Sequence, residues 1–162
     1  MRNYIAQVRE NYCNPYLSGA GTAKPRGTDK VKIGTPKEIF NGEARVAMTP
    51  DSARQLQKLG YECAIETGAG AAAGFSDATY ADAGVEIIKT AAALWKSVDI
   101  VAKVRQPTDV ELKRMTKGKT LISFFNPAGN AEGMELAKSK GANVIAMEMV
   151  PRISRAQKMD AL

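Results

Sequence analysis

The strongest constraint on the fold is a regular alternation of short apolar runs with amphipathic segments, which begins at Val31. Apolar runs of strand length occur six times, at residues 31–34, 61–66, 85–88, 99–104, 120–125 and 143–149. Segments with helical spacing follow the first five runs, at residues 50–59, 76–83, 91–96, 108–115 and 130–140. Strands that alternate with helices are typical of βαβ crossovers. We therefore expect an open, doubly wound, mostly parallel α/β sheet of the Rossmann or flavodoxin-like class.

Residues suited to helix ends stand where this pattern needs them. Thr49 followed by Pro50 is placed to start the first helix, and Thr108 has capping-box spacing with Glu111. Ser76 or Asp77 is expected to cap the second helix. Glycines follow three of the helical segments, at Gly60, Gly84 and Gly141. A last helix is predicted to begin at residue 153.

Composition excludes several classes of function. The 162 residues suit one globular domain, and no apolar run approaches the ~20 residues of a membrane span. The chain has no histidine, which excludes a Ser-His-Asp triad and a histidine-ligated metal. Cys13 and Cys63 fit neither a disulfide framework nor a metal spacing, so no metal site is predicted.

Charge separates the first 30 residues from the rest of the chain. The net charge is +6, and residues 1–30 carry five basic side chains against two acidic ones. Residues 31–162 show no basic stripe with interleaved aromatic residues, so nucleic-acid binding is not expected. Residues 1–30 follow no period and are interpreted as a flexible extension, a basic leader, or an arm that docks through Tyr4, Tyr12 and Tyr16.

A glycine-rich run at residues 68–74 is similar to a dinucleotide fingerprint but differs from it in three ways. Its spacing is G-x-G-x-x-x-G, it follows the second strand rather than the first, and a separate cap precedes the next helix. A tight backbone turn is the expected use of these glycines.

Cations stand at the predicted ends of two strands. Arg45 lies in the segment after the first strand, and Lys103 and Arg105 lie at the end of the fourth. In an open α/β sheet, ligands bind at the carboxyl ends of the strands. An arginine there suits a carboxylate or a phosphate, although a single surface cation is more often only solvated.

Three stretches carry a resemblance to a known family. They are KIGTPKE at residues 32–38, EARVAMTP at residues 43–50, and PRISRAQKMDAL at residues 151–162. Over residues 31–162 the chain resembles the N-terminal domain shared by alanine dehydrogenase and the NAD(H)-binding part of proton-translocating NAD(P) transhydrogenase. The third stretch is typical of the transhydrogenase branch.

The resemblance also bears on which reaction to expect. By this resemblance, the substrate site of alanine dehydrogenase has an arginine that Arg45 matches. It has a lysine where Arg105 stands here and a histidine where Asn126 stands here. Amino-acid oxidation through that histidine is therefore not expected. Transhydrogenase passes a hydride directly between two nicotinamide rings and needs no such acid or base.

The resemblance assigns roles to the last stretch. Arg152 resembles a residue that orients NAD(H), and Gln157 one that holds the nicotinamide carboxamide. Asp160 resembles an aspartate of the same cluster. Gln157 and Asp160 are accordingly the expected catalytic residues, and Arg152, Gln157 and Asp160 the expected cofactor contacts. Arg45 and Arg105 are weaker candidates for substrate binding.

The expected function is the NAD(H) side of proton-translocating NAD(P) transhydrogenase. The partners would be its membrane and NADP(H)-binding parts, with dimerisation in the full enzyme. The protein is expected to be associated with a membrane, on the matrix side of the mitochondrial inner membrane or on the cytoplasmic side of the bacterial membrane. The domain is expected to stop before the nucleotide-binding subdomain, so the isolated chain would be inactive and bind NADH at best in the millimolar range. The alternative is a non-catalytic structural subunit of a larger membrane complex, such as a mitochondrial one, derived from the same domain.

Overall fold

The computed structural model of the protein describes residues 30–151, 153 and 154. Its strands are β1 (Lys32–Thr35), β2 (Glu62–Glu66), β3 (Glu86–Ile88), β4 (Ile100–Ala102), β5 (Thr120–Ser123) and β6 (Asn143–Ala146). Its helices are α1 (Pro50–Lys58), α2 (Asp77–Asp82), α3 (Ala91–Ser97), α4 (Asp109–Leu112) and α5 (Ala131–Ser139). Short 3₁₀ turns lie at Ala71–Ala73 and Met147–Met149. Residues 1–29, and nearly all of the helix predicted from residue 153, lie outside the described residues.

The six strands form one parallel sheet in the order β3-β2-β1-β4-β5-β6. This confirms the doubly wound architecture, and every pairing is parallel. β1 is central, since Ile33 lies beside Cys63 of β2 and beside Ile100 of β4. The chain leaves β1 toward β2 and returns later to β4, so the loops after β1 and β4 diverge at the carboxyl edge of the sheet.

Helices cover both faces of the sheet. Ala64 and Ile65 are successive residues of β2, so their side chains point to opposite faces, and each is fully buried. The core on the Ala64 side includes Leu94, Trp95, Val101, Leu112 and Leu121. The core on the Ile65 side includes Met48, Ala53, Cys63, Tyr80 and Val85.

The predicted helix starts are confirmed, while several predicted ends were too generous. Thr49 and Thr108 each form a capping box, and Ser76 rather than Asp77 caps α2. The run at 143–149 is a strand only to Ala146, because a 3₁₀ turn follows. The helical segment predicted at 50–59 ends at Lys58, and Leu59, its C-cap residue, is 75% exposed.

The glycine-rich run is a tight turn, as expected. The Gly68 N–H donates to the Asp77 carboxylate at 2.8 Å. This donor, which a phosphate would need, is therefore already engaged by the first residue of α2. A Cβ on Gly70 would lie 2.5 Å from Cε2 of Tyr80. The run therefore packs against the buried Tyr80 ring, whose hydroxyl donates to the Met48 carbonyl at 2.8 Å.

A close approach between β1 and α3 gives a test of this packing. A Cβ on Gly34 would lie 2.6 Å from Cγ1 of Val98, so Gly34→Ala overfills the core. We expect a loss of about 1–3 kcal/mol in the free energy of unfolding, measured by denaturant titration. Ala92→Ser adds one atom at an exposed position of α3 and should cost no more than about 0.5 kcal/mol. Equal stabilities of the two variants would contradict this packing.

Candidate functional site

The candidate site is the carboxyl edge of the sheet, where the loops after β1, β4, β5 and β6 meet. The loop after β1 runs from Pro36 to Met48, and that after β4 begins at Lys103. In a doubly wound sheet, the divergence of these two loops leaves the crevice in which ligands bind. Here the loop after β1 sends two carboxylates, Glu38 and Glu43, to the residues that follow β4.

Glu43 joins the two arginines that the sequence singled out. The Arg45 guanidinium donates to both carboxylate oxygens of Glu43, through Nε at 2.8 Å and Nη2 at 2.6 Å. Arg105 donates to the same carboxylate through Nε at 2.6 Å. The Glu43 side chain is only 4% exposed, whereas the side chains of Arg45 and Arg105 are 59% and 53% exposed. The structure thus brings Arg45 and Arg105 together, with a carboxylate already between them.

This arrangement makes Glu43 an unusually strong acid. The side-chain hydrogen bond from Arg45, assisted by those from its backbone and from Arg105, lowers the pKa of Glu43 to about 2. Glu43 is therefore ionised at any physiological pH. A small anion that binds these arginines must compete with an internal carboxylate.

A buried ion cluster lies directly beside this pair. The Lys103 ammonium is fully buried and lies 2.8 Å from Glu111 Oε1 and 3.4 Å from Glu38 Oε2. The other oxygen of Glu38 accepts a hydrogen bond from the Val104 N–H at 2.6 Å. Glu111 also closes the capping box of α4 by accepting from the Thr108 N–H at 2.9 Å. One lysine thus ties the loop after β1 to β4 and to α4.

The end of β5 is held by the turn that follows β6. Glu148 accepts hydrogen bonds from the backbone N–H groups of Phe125 and Asn126. Asn126 has φ +53°, the only positive φ of a non-glycine residue among those described. A concavity of about 350 Å³ opens here, lined by Phe40, Arg105, Gln106, Phe124, Asn126 and Glu148.

Sequence reasoning found the cations of this edge and missed most of the carboxylates. Glu111 was identified only as a cap residue, while Glu38, Glu43 and Glu148 had no predicted role. Glu43 stands two residues before Arg45, which is the one local signal that would have suggested their pairing. Arg152, Gln157 and Asp160 lie outside the described residues, so their expected roles stay predictions.

Among residues 30–151, 153 and 154, no three His, Cys, Asp or Glu side chains are grouped as metal ligands would be. Within that same part, no helix combines the length and the apolar character that crossing a bilayer requires. Cys63 is buried, and burial raises the pKa of its thiol.

Replacing Glu43 should change how stability depends on pH. Because its pKa is lowered in the folded state from 4.5 to about 2, ionised Glu43 stabilises the fold fully above pH ~4.5 and progressively less as pH falls toward 2. The difference in unfolding free energy between wild type and Glu43→Gln should therefore shrink between pH 5 and 2. At 1 M NaCl the difference should also be smaller, because both arginines are half-exposed. A difference independent of pH would contradict the Arg45–Glu43–Arg105 pairing.

Replacing the buried Lys103 should lower the free energy of unfolding far more than replacing an exposed lysine. Lys103→Met leaves Glu38 and Glu111 buried without their cation, so we expect a loss of about 3–5 kcal/mol in denaturant unfolding. Lys138→Met removes an exposed ion pair with Glu135 and should cost less than about 1 kcal/mol. Similar losses in the two variants would show that Lys103 does not act as a buried bridge.

Comparison with known proteins agrees with this fold. The family model described as the alanine dehydrogenase/PNT N-terminal domain matches residues 34–162. The chain is 69% identical over 132 residues to the NAD(P) transhydrogenase subunit alpha of Cereibacter sphaeroides, a match that covers 82% of this chain and 25% of that subunit. It is 40% identical over 118 residues to the alanine dehydrogenase of Bacillus subtilis, covering 73% and 31% of the two chains.

Solved structures show the same relationship. The crystal structure of transhydrogenase from Sinorhizobium meliloti superposes with a TM-score of 0.76 at 36% identity, over 80% of this chain and 38% of that one. An L-alanine dehydrogenase superposes with a TM-score of 0.72 at 37% identity, over 77% and 34% of the two chains. The chain spans about a quarter of the length of the transhydrogenase alpha subunits that it matches. On this evidence of sequence and fold, the chain belongs to the alanine dehydrogenase/PNT N-terminal domain family.

Proposed function

We propose that this chain contributes to the NAD(H) side of a proton-translocating NAD(P) transhydrogenase, in which a hydride passes between NAD(H) and NADP(H). The observation that carries the proposal concerns Asn126, at the end of β5. Asn126 stands there in a left-handed conformation, in a chain without histidine, at the concavity that Arg105 also lines. An amide is not a general acid or base at neutral pH, but it can orient a ligand by hydrogen bonding.

The chemistry of this concavity suits a nicotinamide ring. Phe40 and Phe124 line it with aromatic surface, and Gln106 and Asn126 line it with carboxamides. An aromatic ring that bears a carboxamide matches such walls, since amides donate and accept hydrogen bonds to each other. NAD(H), when bound, supplies the hydride chemistry, and the residues of this chain contribute orientation and binding.

The stretch at residues 151–162, called here the closing run, completes the proposal. We assign Arg152 to the orientation of NAD(H), Gln157 to its carboxamide, and Asp160 to a hydrogen bond in the same cluster. Arg45 and Arg105 are secondary anion contacts, weakened by competition from Glu43. The similarity of this run to that of the transhydrogenase branch supports these roles.

The wider assembly is part of the proposal. The membrane and NADP(H)-binding parts of the enzyme would couple hydride transfer to proton translocation, and pairs of NAD(H) domains would form a dimer. This chain would then be associated with the membrane, on the bacterial cytoplasmic side or the mitochondrial matrix side. The competing interpretation, a structural subunit of a larger membrane complex without catalysis, is the other outcome of the test that follows.

Gln157→Asn tests the proposal in the intact transhydrogenase assembly. The shorter amide would misplace the ring, so we expect reduction of a ring-modified NAD analogue by NADPH to fall about 100-fold, with NADH affinity changed less than about threefold. Gln55→Asn, an exposed amide on α1, is the matched control and should be neutral. Unchanged hydride transfer in Gln157→Asn, or an assembly without such activity, would favour the structural subunit.

A further inference from the structure

Glu148 makes contacts that differ in kind from those of the other carboxylates at this edge. Its Oε1 accepts from the Phe125 N–H at 2.9 Å and from the Asn126 N–H, and its Oε2 lies 3.1 Å from the Phe125 nitrogen. No ion pair with Lys or Arg involves Glu148 among the described residues. Within the part of the chain that the structure describes, the partners of this carboxylate are thus backbone N–H groups.

The backbone at the end of β5 is shaped to receive this carboxylate. Two successive N–H groups converge on one anion when the chain turns through the left-handed region, an arrangement known as a nest. Asn126 adopts φ +53°, which a non-glycine residue rarely does unless its surroundings stabilise it. The side chain of Asn130, which caps α5, lies 3.5 Å from the Phe125 carbonyl and braces the same loop.

Few bonds are free to rotate between this anchor and the closing run. Glu148 lies within the 3₁₀ turn Met147–Met149, and the Val150 N–H donates back to the Met147 carbonyl at 3.2 Å. Pro151 follows with its restricted φ, and the Ile153 N–H donates to the Pro151 carbonyl at 3.0 Å. The direction in which the chain leaves β6 is thus set by the contact between Glu148 and the end of β5.

We infer that Glu148 is a positioning residue: by binding the Phe125 and Asn126 N–H groups, it fixes the exit of the chain from β6 into the closing run. The inference rests on the proposed function, because it is the closing run that holds the proposed NAD(H) contacts. Glu148 also lines the concavity proposed for the nicotinamide ring, but both of its carboxylate oxygens face backbone N–H groups, so its role is exerted through the backbone.

The first test needs no cofactor and uses the full 162-residue chain. Amide hydrogen exchange at Phe125 and Asn126 should accelerate about tenfold or more in Glu148→Ala and less in Glu148→Gln, which keeps one acceptor oxygen. Exchange at Val150, whose N–H donates to the Met147 carbonyl, should accelerate in the same order, with unchanged exchange in the core strand β4. Glu135→Gln, at an exposed position of α5, is the matched control and should match wild type.

The second test uses the intact transhydrogenase assembly. Turnover of NADPH with the ring-modified NAD analogue should fall about tenfold in Glu148→Gln and about 100-fold in Glu148→Ala, with NADH affinity within about threefold of wild type. Such a split between turnover and affinity separates positioning from a general loss of folding. If Glu148→Ala does not fold, Glu148→Gln alone still decides the question.

The outcomes separate this inference from the function on which it rests. Loss of turnover in Gln157→Asn with unchanged turnover and exchange in both Glu148 variants would overturn the positioning role alone. Retained turnover in Gln157→Asn would overturn the proposed function. A loss in the Glu148 variants that lies wholly in NADH affinity would also overturn the positioning role.

Discussion

The carboxyl edge of this domain depends on one buried cation. Lys103 directly follows β4 with no exposed side-chain surface, and its ammonium lies between the carboxylates of Glu38 and Glu111. Burying three charges is favourable only when their partners are fixed, since an unpaired charge in the interior costs several kcal/mol. The loop after β1 and helix α4 therefore cannot leave β4 independently. The contacts of Glu43 with Arg45 and Arg105 lie on the two loops that Lys103 holds together.

At the same edge, three carboxylates already occupy hydrogen-bond donors of the protein. Glu38 binds the Val104 N–H, Glu43 binds Arg45 and Arg105, and Glu148 binds the N–H groups after β5. Each carboxylate satisfies donors that would otherwise be available to a phosphate or to a small acid. These donors are thus engaged before any ligand arrives, and a ligand must either displace a carboxylate or bind beside it.

Local chemistry could be predicted from the sequence, and long-range pairing could not. Thr49, Ser76 and Thr108 cap helices as expected, and the glycines that follow α1, α2 and α5 have the positive φ that ends a helix. These signals act within four residues. Glu38 and Val104, in contrast, are 66 residues apart and meet only because β1 and β4 are neighbours in the sheet.

The two cations at the end of β4 show the same limit. Lys103 and Arg105 lie two residues apart and carry the same charge, so the sequence does not predict that their side chains differ in burial. The strand has ended at Ala102, and the carboxylates that each residue meets decide which is buried. Lys103 lies among Glu38 and Glu111 in the interior, while Arg105 reaches Glu43 from a half-exposed position. The positions of the charged residues could predict where the carboxyl edge lies, but not which of its cations is buried or which carboxylate each one contacts.

An edge whose loops are tied together suits a reaction whose difficulty is alignment. Direct hydride transfer requires two rings to meet at a defined distance and angle, and no protein group needs to carry a proton at that step. Correct alignment alone is worth roughly 7–11 kcal/mol of a reaction barrier. Under the proposed function, an edge whose loops are tied by Lys103, Glu43 and Glu148 would retain more of that gain than mobile loops would. Asn126, which follows β5, would then serve by orienting a ligand through hydrogen bonds, because an amide does not exchange protons at neutral pH.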